Sequence, residues 1–336
     1  MRALIVGLGS IGRRHLRNLR HLRPDAEVTV LRHAPVDEPL AAGVDRYAFT
    51  LAEALRYQPE IALICGPAST HIDVALTLAD AGVHLFVEKP LSHSTSDVTE
   101  LLAACGRRGL IVMVGYNLRF LSSLAAMREA LLAGSIGRLM TVQAQAGQYL
   151  PDWRPNIDYR MTASASEALG GGVTLELSHE LDYVRWIGGE IADVFARTDR
   201  LGDLAVDVED TAEILLRFES GALGSVHLDM VQRSPVRTCR LTGTEGTLLW
   251  DGIADNVHLY GSKRASWQTL EYPRTIDREQ TYVAELAEFL DCVRTGTPPR
   301  VTALDGLRAV EIVEAVKESA RMCRPVTPLG AGLSNR

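Results

Sequence analysis

Three stretches of the 336-residue chain bring together residue types and spacings that could do chemistry. The first is Gly7-Leu8-Gly9-Ser10-Ile11-Gly12, which follows the apolar run Ala3-Leu4-Ile5-Val6 and leads into a helical pattern. Gly7 permits a tight turn, Gly9 exposes backbone that a phosphate can approach with no Cβ in the way, and Gly12 lets helix and strand pack closely. The amino end of the helix then faces an anion. Gly7, Gly9, Ser10, Ile11 and Gly12 therefore read as a dinucleotide site. The second stretch, Glu88-Lys89-Pro90, closes a predicted strand, where the nicotinamide end of such a cofactor would lie. The third begins at Gly170-Gly171-Gly172 and runs through Glu176, His179, Glu180 and Asp182 to Trp186. Triple glycine allows close backbone approach. A single helix after it would place Glu176, His179, Asp182 or Tyr183, and Trp186 along one face by three- and four-residue spacing. A histidine among three acids is a candidate acid–base group; a packed structural histidine is the alternative reading.

The elements that must hold these residues alternate over the first ~120 positions between short β-branched runs and amphipathic helices, the pattern of a parallel sheet with crossover helices. Strands are expected over 3–6, 28–31, 61–65, 84–87 and 110–114, and helices over 10–22, 51–57, 71–81 and 94–108. Ligands of such a sheet sit beyond the carboxyl ends of its strands. Cys65, Gly66, Pro67, Thr70 and His71 are therefore grouped with Glu88 and Lys89 as cofactor contacts, His71 more as a helix-start residue than as a metal ligand. A helix over 121–132 ends at Gly134, after which strands follow one another. Hairpins are expected for 211–218 with 222–229 and for 237–241 with 247–251, followed by helices over 281–294 and 303–322. The expected fold is α/β: a dinucleotide-binding domain over 1–120 and an α+β domain over 121–336 with a large, mostly antiparallel open sheet. The closing helices are allowed to pack back on the first domain.

Apolar residues make up 46% of the chain and charged ones 23%, enough for a sizeable core. A formal charge of −7 without a long basic run argues against nucleic acid as the main partner. The five cysteines are scattered and never spaced as CxxC, so no disulfide framework or metal site is expected. Met1 leads directly into a structural strand and no later apolar run reaches spanning length, which excludes a membrane partner and points to a reducing cytoplasm.

The cofactor can be read further. An acidic residue about twenty positions beyond the glycines holds the ribose 2′-hydroxyl of NAD. Here that place is Leu31-Arg32-His33, and no carboxylate follows until Asp37. Arg32 could instead pair with a 2′-phosphate and stack on adenine. Arg13 and Arg14, cations in the first turn of a helix, add to the case for a bound anion. NADP is favoured, with NAD as the less favoured choice.

The glycine turn, Glu88-Lys89-Pro90, Gly115-Tyr116-Asn117-Leu118-Arg119-Phe120, the run from triple glycine to His179-Glu180-Leu181-Asp182 and Leu241-Thr242-Gly243-Thr244-Glu245-Gly246-Thr247 together resemble the Gfo/Idh/MocA oxidoreductase family. The resemblance spans nearly the whole chain. It implies a Rossmann domain with an open-sheet partner domain, and NAD(P)-dependent hydride transfer at a hydroxyl or carbonyl carbon of a sugar, cyclitol or similar polyol. It implies that Lys89 is the catalytic lysine and His179 the acid–base histidine, with Asn117 at the cofactor, Arg119 at the substrate and a homodimer or homotetramer as the assembly. Many relatives carry aspartate four residues before the histidine; that place is Leu175 here, with Glu176 one residue later, a step of ~100° around a helix. Glu176 and Asp182 are both kept as catalytic candidates, Asp182 to hold the imidazole tautomer or bind substrate hydroxyls.

Polyol recognition needs several hydrogen-bonding groups around a mostly apolar rim. Trp153, Arg154, Tyr159 and Arg160 could supply them, Trp153 by stacking on a sugar face and the arginines by binding a carboxylate or phosphate; a surface loop with a packed tryptophan is the alternative. Two other functions fit the same motifs: a redox-neutral enzyme that recycles a tightly bound cofactor, and a non-catalytic NAD(P)-sensing regulator.

Overall fold

The computed structural model describes residues 1–33, 40–262, 265–274 and 277–331, so Asp37 lies outside the described residues. The chain divides into two units, one of Met1–Asn117 with Asp277–Leu307 and one of Leu118–Ile276 with Arg308–Arg336.

In the first unit β1 (Arg2–Val6), β2 (Glu27–Leu31), β3 (Arg46–Ala48), β4 (Ile61–Ile64), β5 (His84–Glu88) and β6 (Val112–Gly115) form one sheet in the order β3-β2-β1-β4-β5-β6. Every pair in it is parallel. All four residues of β4 are fully buried, as expected of strands covered on both faces. The crossovers carry α1 (Ser10–Leu22), α2 (Leu51–Arg56), α3 (His71–Asp80) and α4 (Val98–Arg108). Strands and helices fall within a few residues of expectation, with two departures. The three-residue β3 is too short for a periodic signal. Helix α4 begins at Val98 rather than 94, because Asp97 adopts a left-handed φ of 59° after a run of serines and threonine. Such side chains compete for backbone hydrogen bonds and favour turns.

The second unit opens with α5 (Ser122–Leu132) and β7 (Leu139–Gly147), followed by the short helices α6 (Leu150–Trp153) and α7 (Val173–Glu176) and then α8 (Ser178–Gly188). Its remaining strands are β8 (Ile191–Asp199), β9 (Thr211–Phe218), β10 (Leu223–Asp229), β11 (Val236–Gly243), β12 (Gly246–Asp251), β13 (Asn256–Gly261) and β14 (Ser266–Thr269). They make an eight-stranded sheet in the order β14-β13-β12-β11-β7-β10-β9-β8, antiparallel except where β7 meets β10. On β9, Ala212, Ile214, Leu216 and Phe218 turn inward while Glu213, Leu215 and Arg217 face out, the period-two signature of a sheet covered on one side. Tyr183 of α8 packs edge-on against Trp250 of β12 at 5.6 Å, and Trp250 Nε1 donates to Ser123 Oγ of α5 at 2.8 Å.

Two helices close the chain. α9 (Glu279–Thr295) belongs to the first unit, where Glu279 accepts from Arg14 and Asn18 of α1, each at 3.0 Å. α10 (Ala303–Met322) begins in the first unit and continues in the second.

Candidate functional site

The glycine turn has the shape its sequence demands. Gly7 sits at φ +90°, and its N–H donates to Leu31 O at 3.1 Å, joining the ends of β1 and β2. A Cβ on Gly12 would stand 2.1 Å from Gly7 O, so only glycine fits there. Gly9 differs, since a Cβ on it would meet no protein atom within 4 Å. Gly9 is also the cap residue of α1, and neither a capping side chain nor an acidic residue serves the first turn. The amino end of a thirteen-residue helix thus presents its backbone donors beside open backbone, a cradle suited to a dinucleotide's phosphates. Arg13 is exposed. Arg14 is engaged elsewhere: it pairs with Glu279 at 3.0 Å and lies 4.3 Å over the Tyr282 ring.

Arg32 follows the residue that Gly7 grips. Its N–H donates to Ala48 O at 2.9 Å, and its guanidinium lies 5.4 Å from the Tyr47 ring centre. The loop after β4 starts from Cys65, which donates its N–H to Val6 O at 2.9 Å. The Cys65 thiol is pushed well above its usual pKa by burial first and then by the charge of Glu88. Thr70 closes this loop through Oγ1 to Pro67 O at 2.8 Å, and a Cβ on Gly66 would stand 3.2 Å from that hydroxyl. His71, grouped with the cofactor contacts from sequence, has both ring nitrogens against backbone carbonyls. It is buried between the loops after β4 and β5, with Nε2 2.9 Å from Gly66 O and Nδ1 3.0 Å from Pro90 O, and the neutral ring donates to one of the two carbonyls. Burial holds its pKa below the usual histidine value.

Lys89 is half-buried at the end of β5. The Glu88 carboxylate turns inward: Oε1 meets His15 Nε2 at 2.5 Å, and Oε2 accepts from Lys89 N at 3.2 Å. Asn117 is buried as well and donates to Thr281 Oγ1 at 2.7 Å, fastening the returning segment.

In the second unit the expected single helix is two. It breaks at Leu177, whose φ of −98° and ψ of 28° leave Glu176 at the end of α7 while His179 lies in the first turn of α8. The one-face argument that linked Glu176 to His179 therefore does not carry across the break. Leu175 is buried in the core, whereas Glu176 and His179 are each partly exposed. Of the other acids near His179, Glu180 is fully buried and pairs with Arg237 at 2.8 Å. Asp182 is gripped by Arg119 in a bidentate pair, Oδ2 to Nε at 2.9 Å and Oδ1 to Nη2 at 2.6 Å. Both side chains are almost completely buried, and the Arg119 guanidinium lies 5.5 Å from the Trp186 ring centre. Arg119 is thus an internal partner of Asp182 rather than a surface group waiting for substrate, and Asp182 is a carboxylate that anchors α8.

The triple glycine is approached by the protein itself. A Cβ on Gly171 would stand 2.3 Å from Ala163 O, and one on Gly172 would stand 2.6 Å from Glu209 Oε1. Trp153, Arg154 and Tyr159 line one small depression. The Trp153 indole donates to Gln148 O at 3.0 Å, and Tyr159 Oη accepts from Ala205 N at 3.1 Å. Arg160 is exposed, paired with its near neighbour Asp158, and lines a wider depression with Arg200.

Sequence reasoning missed Tyr47 under Arg32, His15 behind Glu88 and Arg237 against Glu180. Only His15 left a signal, since it shares the buried helix side with Gly12 and Leu19 at three- and four-residue spacing.

A parallel sheet whose first turn is such a cradle defines a dinucleotide-binding protein. Residues 1–116 match the oxidoreductase family with an NAD-binding Rossmann fold, and residues 124–249 match the GFO/IDH/MocA C-terminal domain. The chain belongs to the Gfo/Idh/MocA family of oxidoreductases. It is similar to a myo-inositol 2-dehydrogenase of Thermotoga maritima, with 29% identity over 97% of this chain and 98% of the relative. It is also similar to a scyllo-inositol 2-dehydrogenase (NAD(+)) of Bacillus subtilis, with 27% identity over 97% and 96%. A levoglucosan dehydrogenase solved in complex with NADH and levoglucosan has the same fold, with a TM-score of 0.87 at 20% identity over 98% of this chain and 99% of that one. No helix among the described residues is long and apolar enough to cross a membrane.

Proposed function

We propose that the protein oxidises a secondary alcohol of a sugar or polyol, or reduces the matching carbonyl, with NADP favoured over NAD. The observation that carries this reading is the glycine cradle at the end of β1, in the same unit and at the same strand ends as Lys89. The bound nicotinamide would supply the hydride acceptor or donor; Gly7, Gly9, Ser10, Ile11 and Gly12 would hold the cofactor's phosphates. Loss of hydride from a carbinol carbon requires loss of the hydroxyl proton. His179, partly exposed on α8, would take it, and the Lys89 ammonium would stabilise the developing alkoxide. In reduction the proton moves back. Glu176, partly exposed at the end of α7, would bind substrate hydroxyls, and Asp182 would orient the imidazole. Trp153, Arg154 and Tyr159 would line the substrate's outer face, and Arg160 would meet any anionic group.

Arg32 supports NADP: it follows the last residue of β2, lies near Tyr47 and would pair with a 2′-phosphate. All five cysteines are free and four are buried, in keeping with a reducing cytoplasm. The outward side of the open sheet, with Leu215 58% exposed, favours a homodimer or homotetramer, to be checked by light scattering.

The test is a screen of sugars, sugar acids and inositols for NADPH or NADH formation. With a substrate found, Lys89→Ala and His179→Ala should each lower kcat by about two orders of magnitude or more while dinucleotide binding persists. Near-normal turnover in either variant refutes the assignment. Arg32→Asp should shift preference towards NAD; an unchanged ratio of the two KM values removes Arg32 from the cofactor argument.

A further inference from the structure

Three titratable side chains that the reaction above does not use meet inside the first unit. His15 of α1, Glu88 at the end of β5 and Glu285 of α9 each present a nitrogen or oxygen, and these atoms lie within 4.8 Å of one another. None of the three residues is more than 7% exposed. The His15 ring stands edge-on to Phe86 at 5.0 Å and to Tyr282 at 6.4 Å, and Phe289 packs against Phe86 at 5.7 Å. Aromatic rings thus wall the cluster. Neither Glu285 oxygen has a hydrogen-bond partner among the described residues.

A cation is one way to hold such a set, and the geometry speaks against it. Two ligand atoms bound at about 2.0–2.2 Å to one ion are kept roughly 3 Å apart. The 2.5 Å between His15 Nε2 and Glu88 Oε1 is instead an imidazole–carboxylate hydrogen bond. A metal-bound imidazole also donates its second nitrogen to a neighbouring acceptor in nearly every case, yet His15 Nδ1 has no partner among the described residues.

Charge balance leads elsewhere. Two carboxyl groups, Glu88 and Glu285, sit together in a dry enclosure, where a second carboxylate beside the first would be a poorly compensated like charge. The groups that face Glu285 are His15 and Arg14 from α1, Glu88 from β5 and Cys65 beyond β4. Burial and the Glu88 charge push the Glu285 carboxyl well above the usual carboxylate range; Arg14 opposes this but is itself turned to Glu279 and Tyr282.

We propose that the buried His15–Glu88 hydrogen bond positions Lys89, and that Glu285 stands beside it as a neutral acid. The link to Lys89 is direct: one Glu88 oxygen is held by His15, and the other accepts the Lys89 N–H. From the opposite side β6 closes the arrangement, since a Cβ on Gly115 would stand 3.2 Å from the Glu88 carboxyl. His15 is a positioning residue, and its effect on turnover rests on the role proposed above for Lys89.

Two readouts separate this proposal from that role. Infrared spectra of the full-length protein near neutral pH should contain the C=O stretch of a buried protonated carboxylic acid, and Glu285→Gln should remove it. This needs no turnover and stands whether or not a sugar is the substrate; absence of the band in the wild type, or its survival in the variant, overturns the neutral acid. Once a substrate is known, His15→Ala should lower kcat about tenfold or more with dinucleotide Kd and substrate KM within about threefold, and His15→Gln should restore part of the loss. Glu285→Gln, which keeps shape and neutrality, should stay within about threefold of wild-type kcat. Normal turnover in His15→Ala overturns the positioning role, and a stoichiometric divalent metal lost on substitution of His15 overturns the neutral acid.

Discussion

The molecule contains two glycine runs, and they are glycine for different reasons. In the first, Gly7 and Gly12 are constrained by the chain's own backbone while Gly9 faces open space. In the second, Gly171 and Gly172 are both closed off, by Ala163 O and by the Glu209 carboxylate. Read as letters, both runs allow close approach. In three dimensions the first leaves its approach to a ligand, and the second gives it to a neighbouring loop. The same contrast runs through the charged groups. Around the first run, no side chain caps the amino end of α1 and no acidic residue stands in its first turn. Around the second, α8 is pinned by side chains, with Asp182 on Arg119 and Glu180 on Arg237.

The sharpest way to break this contrast is Asp182→Ala. It leaves Arg119 buried without its bidentate partner, and unfolding by denaturant should show a loss of about 3–5 kcal/mol. A loss below about 1 kcal/mol would mean that the pair does not anchor α8. Gly171→Ala comes next, because its methyl would meet a carbonyl oxygen at 2.3 Å; a cost of about 1–3 kcal/mol is expected, read as a lowered Tm. Gly9→Ala should do the reverse, leaving Tm nearly unchanged while weakening dinucleotide binding about tenfold, measured by titration. If Gly9→Ala destabilises as much as Gly171→Ala, the two runs are alike after all. The smallest effect is expected for Arg160→Ala, whose exposed pair with Asp158 should contribute less than about 1 kcal/mol; a larger loss would make that loop part of the structural core.

Much of this was legible from the chain. Strand periodicity located β1, β2, β4, β5 and β6, and the turn residues marked the hairpins of β9 with β10 and of β11 with β12, because each of these signals is local. What escaped is non-local. The Arg119–Asp182 pair spans 63 positions and Asn117–Thr281 spans 164, so no spacing rule could connect them. The break at Leu177 was hidden for another reason: Gly172 through Gly188 contains no proline or internal glycine to mark it, and packing rather than propensity interrupts the helix. The family departure at Leu175 also becomes clear only with burial, since Leu175 lies in the core while Glu176 one position on is partly exposed.

The return of the chain to its first unit carries a consequence for synthesis. α9 supplies Glu279 to α1, Thr281 to Asn117 and Glu285 to the His15–Glu88 pair. These partners leave the ribosome only after residues 118–276 have been made. The nucleotide-binding unit is therefore begun first and finished late, and a nascent chain halted before residue 277 carries α1 with its Arg14 and Asn18 still waiting for the acid that joins them.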